Sequence, residues 1–260
     1  MNTPSPPPTI TTTPPTGPSS SPPISLLIIN PNSTLTMTEA LQPIITPLLL
    51  SNTTTTYFTA PATAPPSIND TATSTLSTTL TLPHLLPLLP HHSAIILACY
   101  SAHPLIPLLR AATTIPVIGI FEASLYHSLA LLQPEGKLAI ITTGKPWEAL
   151  LSRGVEEVLG GKGRLAGVWS TGLDADELER VGREEVERRV EGRVREMWSE
   201  EVGVVCLGCA GMVGLREVVE RVVEEVAPGR GVRVVDGVEA AVGMVGGMLG
   251  RGYERVARRK

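Results

Sequence analysis

The sequence predicts an α/β protein built on a mostly parallel sheet, and three observations carry that prediction. Short Val/Ile/Leu runs without polar alternation recur along the chain, as in strands covered on both faces. Helix-length segments separate these runs, so each strand reaches the next through a crossover. Caps and turn residues such as Asn30-Pro31-Asn32 and Asp236 punctuate the alternation.

Ile24–Ile29 is an apolar strand running into Asn-Pro-Asn turn chemistry. Thr36–Leu50 reads as a helix opened by Ser33 or Thr34 and made irregular by Pro43 and Pro47. Thr54–Thr59 is β-branched and aromatic, hence a strand, and Ala60–Ser67 a loop. The threonine-rich stretch to Leu82 predicts only a weak helix. Ser93–Ala98 is a buried strand that delivers Cys99, followed by a helix over Leu105–Ala112 and a strand over Pro116–Ile120. The alternation continues with helix Glu122–Leu132, strand Lys137–Thr142, helix Trp147–Leu159 and strand Leu165–Trp169. Asp176–Trp198 predicts one long charged helix with Glu/Arg pairs at helical spacing. Val202–Leu207 then delivers Cys209, Leu215–Val226 is a helix and Val232–Val235 a strand. Asp236 caps a last helix over Val238–Leu249.

Composition narrows the function classes. Hydrophobic residues make up 42% and charged residues 18%, which supports a sizeable core. A net charge of −4 offers no electrostatic case for nucleic acid or for an anionic membrane surface. No apolar run reaches the roughly 18–20 residues of a membrane span. Three cysteines point to a reducing, cytoplasmic setting and not to a disulfide framework. Met1–Pro23 is Pro/Ser/Thr-rich, lacks signal features, and is expected to be a disordered tail. Before Glu135 the only charged side chains are Glu39, Asp70, Arg110 and Glu122. Strand signals cross that boundary unbroken, so the uneven charge reflects solvated faces.

Ligands in open parallel sheets bind beyond the carboxyl ends of the strands, and both Cys99 and Cys209 fall there. The segments around them echo each other: apolar strand, cysteine, helix, Val-rich strand. A duplicated half would set the thiols in equivalent positions on facing lobes. Inverting a carbon beside a carbonyl requires proton removal on one face and delivery on the other. Two opposed thiols can do this, and a helix N-terminus after each would draw their pKa values down. Cys206-Leu207-Gly208-Cys209 is a CxxC pattern. Inside a strand, however, the two Cα atoms would stand ~10 Å apart, beyond disulfide reach. Cys206 therefore reads as core, and no metal site is expected, since no second CxxC or paired-His finger accompanies it.

With the cysteines placed, the chain resembles the hydantoin/allantoin racemase branch of the Asp/Glu racemase superfamily from about Ile24 to Leu249. The resemblance rests on Ile29-Asn30-Pro31-Asn32-Ser33, Thr59-Ala60-Pro61, Ser67-Ile68-Asn69 and Ala98-Cys99-Tyr100-Ser101. It continues through Pro116–Ile120 with Glu122-Ala123, Thr142-Thr143, Ser170–Leu173, Leu207–Met212 and Asp236–Ala240. It implies two flavodoxin-like lobes related by a pseudo-twofold axis, residues 24–117 plus 233–260 forming the first and 118–232 the second. It further implies a cleft site, no cofactor, and a small ring-amide substrate; a homo-oligomer is compatible with it. Cys99 and Cys209 would be catalytic. Asn30, Ser33, Tyr100, Ser101, Thr142, Thr143, Ala210 and Gly211 would contact substrate, with His103 and Glu122 as further candidates. Amino-acid racemases of the superfamily have Asn-Thr and Thr after the two cysteines, whereas Tyr100-Ser101 and Ala210-Gly211 stand here. A neutral ring such as a 5-substituted hydantoin or allantoin fits that change better than a free carboxylate. Where the branch has Asp-Pro, this chain has His103-Pro104. The alternatives are a one-thiol decarboxylase or cis–trans isomerase on the same scaffold, or a metabolite-binding protein without catalysis.

Lys145 reads as solvated, Trp147 as packing, and Gly160–Gly163 as a flexible turn without the spacing of a phosphate loop. His91 and His92 read as surface residues.

Overall fold

A computed structural model describes residues 9–12, 23–212 and 214–250. Four parallel strands form the first sheet: β2 (Ile24–Asn30), β3 (Thr53–Thr59), β4 (Ala94–Leu97) and β5 (Val117–Gly119). The second holds β6 (Lys137–Thr142), β7 (Leu165–Ser170), β8 (Val202–Gly208) and β9 (Arg233–Asp236). The spatial orders are β3-β2-β4-β5 and β7-β6-β8-β9, so each sheet runs second-first-third-fourth. Identical order in both halves is the duplication that the paired cysteine segments implied.

An edge strand, β1 (Thr9–Thr12), pairs antiparallel with β3 from Thr9↔Phe58 to Thr12↔Thr55. This corrects the expectation of a disordered tail for those residues. Thr-Ile-Thr-Thr is β-branched and proline-free, and the open edge of β3 supplies unpaired backbone groups. The rest of that expectation, residues 1–8 and 13–22, lies outside the described residues.

The absence of polar alternation in the strands has a direct cause. Leu26 and Ile28 of β2 join a central core, while Leu27 and Ile29 join an outer one. In β6 and β8, Leu138, Ile140, Val204 and Cys206 face the same central core; Ala139, Ile141, Val205 and Leu207 face a third. Both sheets thus turn one face toward a shared middle layer. That layer holds α1 (Leu35–Ile45), α4 (Ile120–Leu131), α5 (Pro146–Leu159) and α9 (Gly237–Gly250). The outer faces are covered by α2 (Thr71–Leu85) and α3 (Leu105–Ala112) on one side. On the other lie α7 (Arg183–Met197) and α8 (Arg216–Val226). Each fully buried Leu or Ile in these layers contributes about 1.5–3 kcal/mol.

Local differences from the sequence reading have local reasons. The long charged helix is broken: α6 (Glu177–Arg180) stops and α7 restarts after Gly182, whose φ of +82° only glycine adopts readily. The threonine-rich segment forms a well-capped α2, because Asp70 and Thr73 make a capping box and Thr75, Thr78 and Thr79 back-bond to carbonyls four residues earlier. The helix expected to run to Leu50 ends at Ile45 and passes into a 3-10 turn containing Pro47. Arg233–Asp236 pairs with β8, so it belongs to the second sheet and not, as the lobe boundary had it, to the first. Its Val234 and Val235 fill the open edge of β8; the return toward the first lobe is made by α9, packed on α1 and α4. Residues 251–260 lie outside the described residues. No described helix is long and apolar enough to cross a membrane.

Candidate active site

In each sheet the strand order reverses between the first and third strands, β2/β4 and β6/β8, and ligands of open parallel sheets bind beyond the carboxyl ends of the strands at such a reversal. A cavity of about 460 Å³ opens at both reversal points together. Asn30 and Thr142 close the two first strands, and Cys99 and Cys209 follow the two third strands; all four line it. The thiols therefore occupy equivalent stations on facing lobes and share one cleft.

Their electrostatics differ from the sequence expectation. Burial among apolar walls pushes the Cys99 thiol up to about 12, with its Ser101 hydrogen bond opposing and the nearby Cys209 adding to the rise. Cys209 is pushed up to about 11, again chiefly by burial; the Gly211 and Met212 N–H groups oppose and the Asp236 carboxylate adds. Dipole lowering fails because no helix begins at either thiol. The chain after Cys99 reaches α3 only at Leu105, and a single 3-10 turn separates Cys209 from α8. What each sulfur has instead is local polar company, the Ser101 hydroxyl at 3.3 Å for Cys99 and the Gly211 N–H donating at 3.3 Å to Cys209.

The remaining expected site residues divide into three groups. Tyr100, Thr142, Thr143, Ala210 and Gly211 line the cavity with Asn30. Asn30 is already engaged, accepting from Asn32 N–H and donating to the Thr34 carbonyl and Thr38 hydroxyl, as turn chemistry requires. The Thr142 hydroxyl donates to the Gly208 carbonyl at 3.0 Å and ties the two strand ends together. Thr143 lines the cavity, while its carbonyl accepts the Gly172 N–H at 3.0 Å. Ser33 and Ser101 do not line the cavity. The Asn30–Asn32 turn carries Ser33 toward Pro65, whose carbonyl takes its N–H, and Ser101 serves the Cys99 sulfur.

His103 and Glu122 also stand apart from the cavity. His103 is buried, its Nδ1 accepts the Leu105 N–H, and burial pushes its pKa down to about 4. A neutral imidazole cannot stabilise a thiolate by charge. Glu122 accepts the Gly119 N–H at the start of α4 and both arms of Arg110 at 2.7 and 3.0 Å. That is capping and bracing. Arg110→Ala, which strands the buried carboxylate beside a half-exposed partner, is expected to cost about 1–2 kcal/mol in urea unfolding. Activity per folded molecule should stay at the wild-type level.

Sequence reasoning missed the wall opposite the polar end. Met37, Leu41 and Ile44 of α1, with Ile68 and Leu178, make that wall apolar. Asn32 lines the cavity too, and its buried Oδ1 has no partner. The i, i+3/i+4 spacing of Met37, Leu41 and Ile44 was a visible signal for the wall. Asn32 could be read only as a turn residue. Among the described residues no lining side chain carries a formal charge.

The comparisons agree with this geometry. A family model described as Asp/Glu/Hydantoin racemase matches residues 26–245. The chain is 32% identical over 230 residues to the uncharacterized protein C1F7.10 of Schizosaccharomyces pombe, covering 87% of this chain and 92% of that one. Among solved structures it is similar to an allantoin racemase from Klebsiella pneumoniae, with a TM-score of 0.74 and 25% identity over 88% of this chain and 89% of that one. An allantoin racemase from Pseudomonas fluorescens shares the fold, with a TM-score of 0.72 and 24% identity, covering 91% and 98% of the two chains. Two parallel sheets of one strand order, a cleft at their paired reversal points and a match over most of the length make this chain a member of the Asp/Glu/Hydantoin racemase family.

Proposed function

We propose that the protein is a cofactor-independent racemase of neutral five-membered ring amides, inverting the carbon beside a ring carbonyl with Cys99 and Cys209. The observation that carries this reading is the pair of thiols at matching strand ends lining one cleft in which no described residue is charged. One cysteine enters as thiolate and takes the proton from the ring carbon. The C–H electron pair moves into the adjacent carbonyl as an enolate. The other cysteine, as thiol, delivers its proton to the opposite face, so the two sulfurs exchange protonation states in each turnover. The opposite enantiomer runs the same steps in reverse.

That no cationic side chain lines the cleft among the described residues argues against free amino acids, whose carboxylate would be buried unpaired at a cost of several kcal/mol. Thr143, together with the polar turn at Asn32, suits the polar edge of a ring amide. The Met37, Leu41 and Ile44 wall suits an apolar ring substituent. Each buried CH₂ is worth about 0.8 kcal/mol, or roughly fourfold. An isobutyl-substituted hydantoin is therefore expected to exceed allantoin in kcat/KM by about tenfold or more, with free glutamate and aspartate unreactive. The test is incubation of single enantiomers in deuterated water, following optical rotation and deuterium at the ring carbon. Loss of rotation with deuterium uptake is the expected result. Ligand binding with no exchange would sink the reading in favour of a non-catalytic binder, and carbon dioxide release from an acid substrate in favour of a decarboxylase.

A further inference from the structure

Cys206, read from the sequence as inert core, takes part in a buried polar chain that crosses the protein. Tyr100 directly follows Cys99, and its hydroxyl meets Ser124 Oγ of α4 at 2.8 Å. Ser124 donates its one hydroxyl proton to the Phe121 carbonyl at 2.8 Å, so in this bond Tyr100 is the donor. One turn on, Ser128 donates its proton to the Ser124 carbonyl at 2.6 Å. Its oxygen is then left to accept from the Cys206 thiol, 3.1 Å away on β8. Cys206 is kept as a thiol, and so as a donor, because burial pushes its pKa up to about 11. Every proton in the chain is spoken for in one direction only.

The ring of Tyr100 is held as firmly as its hydroxyl. It meets Phe121 edge-on, with centroids 5.2 Å apart at 70°. On another side it lies against Gly237, where an added Cβ would stand 3.1 Å from the ring and 2.7 Å from the Ile120 carbonyl. No comparable hydroxyl link exists for an alanine or phenylalanine at position 100. Cys99 is one residue from one end of this chain, and Cys209 lies three residues beyond the other, on the same strand exit.

We propose that Tyr100, Ser124, Ser128 and Cys206 form an inter-lobe clamp that sets the spacing of the two thiols, with Tyr100 as a positioning residue for proton delivery across the cleft. The proposal rests on the two-thiol reading above. Spacing matters to two-face chemistry more than to one-face chemistry: removal and return of a proton on a single face needs one sulfur, racemisation needs both. The test uses the full chain with Tyr100→Phe, which keeps the ring, and Ser124→Ala as a second variant, each with a thermal melt to show folding. Two readouts are followed. One is the ratio of racemisation to one-face deuterium exchange; the other is the rate at which dibromobimane bridges the two cleft thiols, with Cys99→Ser as the blank.

Tyr100→Phe is expected to slow racemisation and bridging by about tenfold, with KM and one-face exchange within about twofold. Cys206→Ala should match it, the double variant should add little, and Cys206→Ser, which retains a donor, should recover most of the loss. Unchanged racemisation and bridging in folded Tyr100→Phe would overturn the clamp, as would a rise in KM alone, which would assign the hydroxyl to substrate. If the wild type racemises no ring substrate, the two-thiol reading fails, and the bridging rates by themselves decide the clamp.

Discussion

Cys99→Ser and Cys209→Ser are each expected to abolish racemisation, by roughly three orders of magnitude or more in kcat/KM. A serine hydroxyl in the same apolar cleft is too weak an acid to cycle between base and acid. The loss should be equal for both enantiomers, because each direction of the reaction uses both sulfurs. One-face deuterium exchange should behave differently, surviving in each variant for the enantiomer whose proton faces the remaining thiol. A complementary pattern in the two variants would assign each cysteine to its face. The double variant should be no worse in racemisation than either single one, since the pair works as a unit. Racemisation at the wild-type rate in either single variant would end the two-thiol mechanism.

A steep rise of kcat/KM with pH is the second large expectation. Both cleft thiols are pushed above their ordinary 9.0, to about 12 for Cys99 and about 11 for Cys209. Catalysis needs one of them ionised in the free enzyme, and well below the lower pKa the ionised fraction grows tenfold per pH unit. Between about pH 7 and 9, kcat/KM should therefore rise about a hundredfold. A hydantoin methylated on its imide nitrogen removes the substrate's own titration from the profile. A flat profile over that range would exclude a thiolate generated by simple ionisation in the free enzyme.

Stability moves the opposite way. For Cys99, Cys206 and Cys209 the folded-state pKa is raised, so the fold favours the neutral thiols. That stability is fully present below about pH 9 and is lost as pH climbs toward 11–12. Thermal melts should hold steady through the kinetic window and decline beyond it, less so for Cys206→Ser, which has one buried thiol fewer.

The legible parts of the fold were those with a local cause. The β2, β4, β6 and β8 strands carry unbroken apolar runs at their centres because both of their faces are buried, a pattern that requires no knowledge of partners. Asp236 announced a helix start through backbone chemistry confined to a few residues. Where the reading slipped, the deciding term was distant or conformational. Gly182 could have sat inside a helix until its positive φ broke one. Thr9–Thr12 needed the open edge of β3 to become a strand.

The site followed the same division. Cys99 and Cys209 could be singled out from strand-end position, and Thr143 from the matching exit of the second lobe, whereas Ala210 and Gly211 came from the family resemblance. Asn30, Ser101 and Glu122 carried functional-looking side chains that the fold uses to hold a turn, a sulfur and a helix start.

By itself, then, the chain's order of apolar runs and caps determined an α/β fold on mostly parallel strands with a cysteine just past two of the strand exits, because strand periodicity and capping act over a few residues. Only the tertiary structure decided that the two exits share one uncharged cleft, that α1 walls it, that burial raises both thiols, and that Tyr100 reaches Cys206 through α4. Those properties arise from segments a hundred residues apart in sequence, whose desolvation and hydrogen bonding exist only once the lobes are packed together.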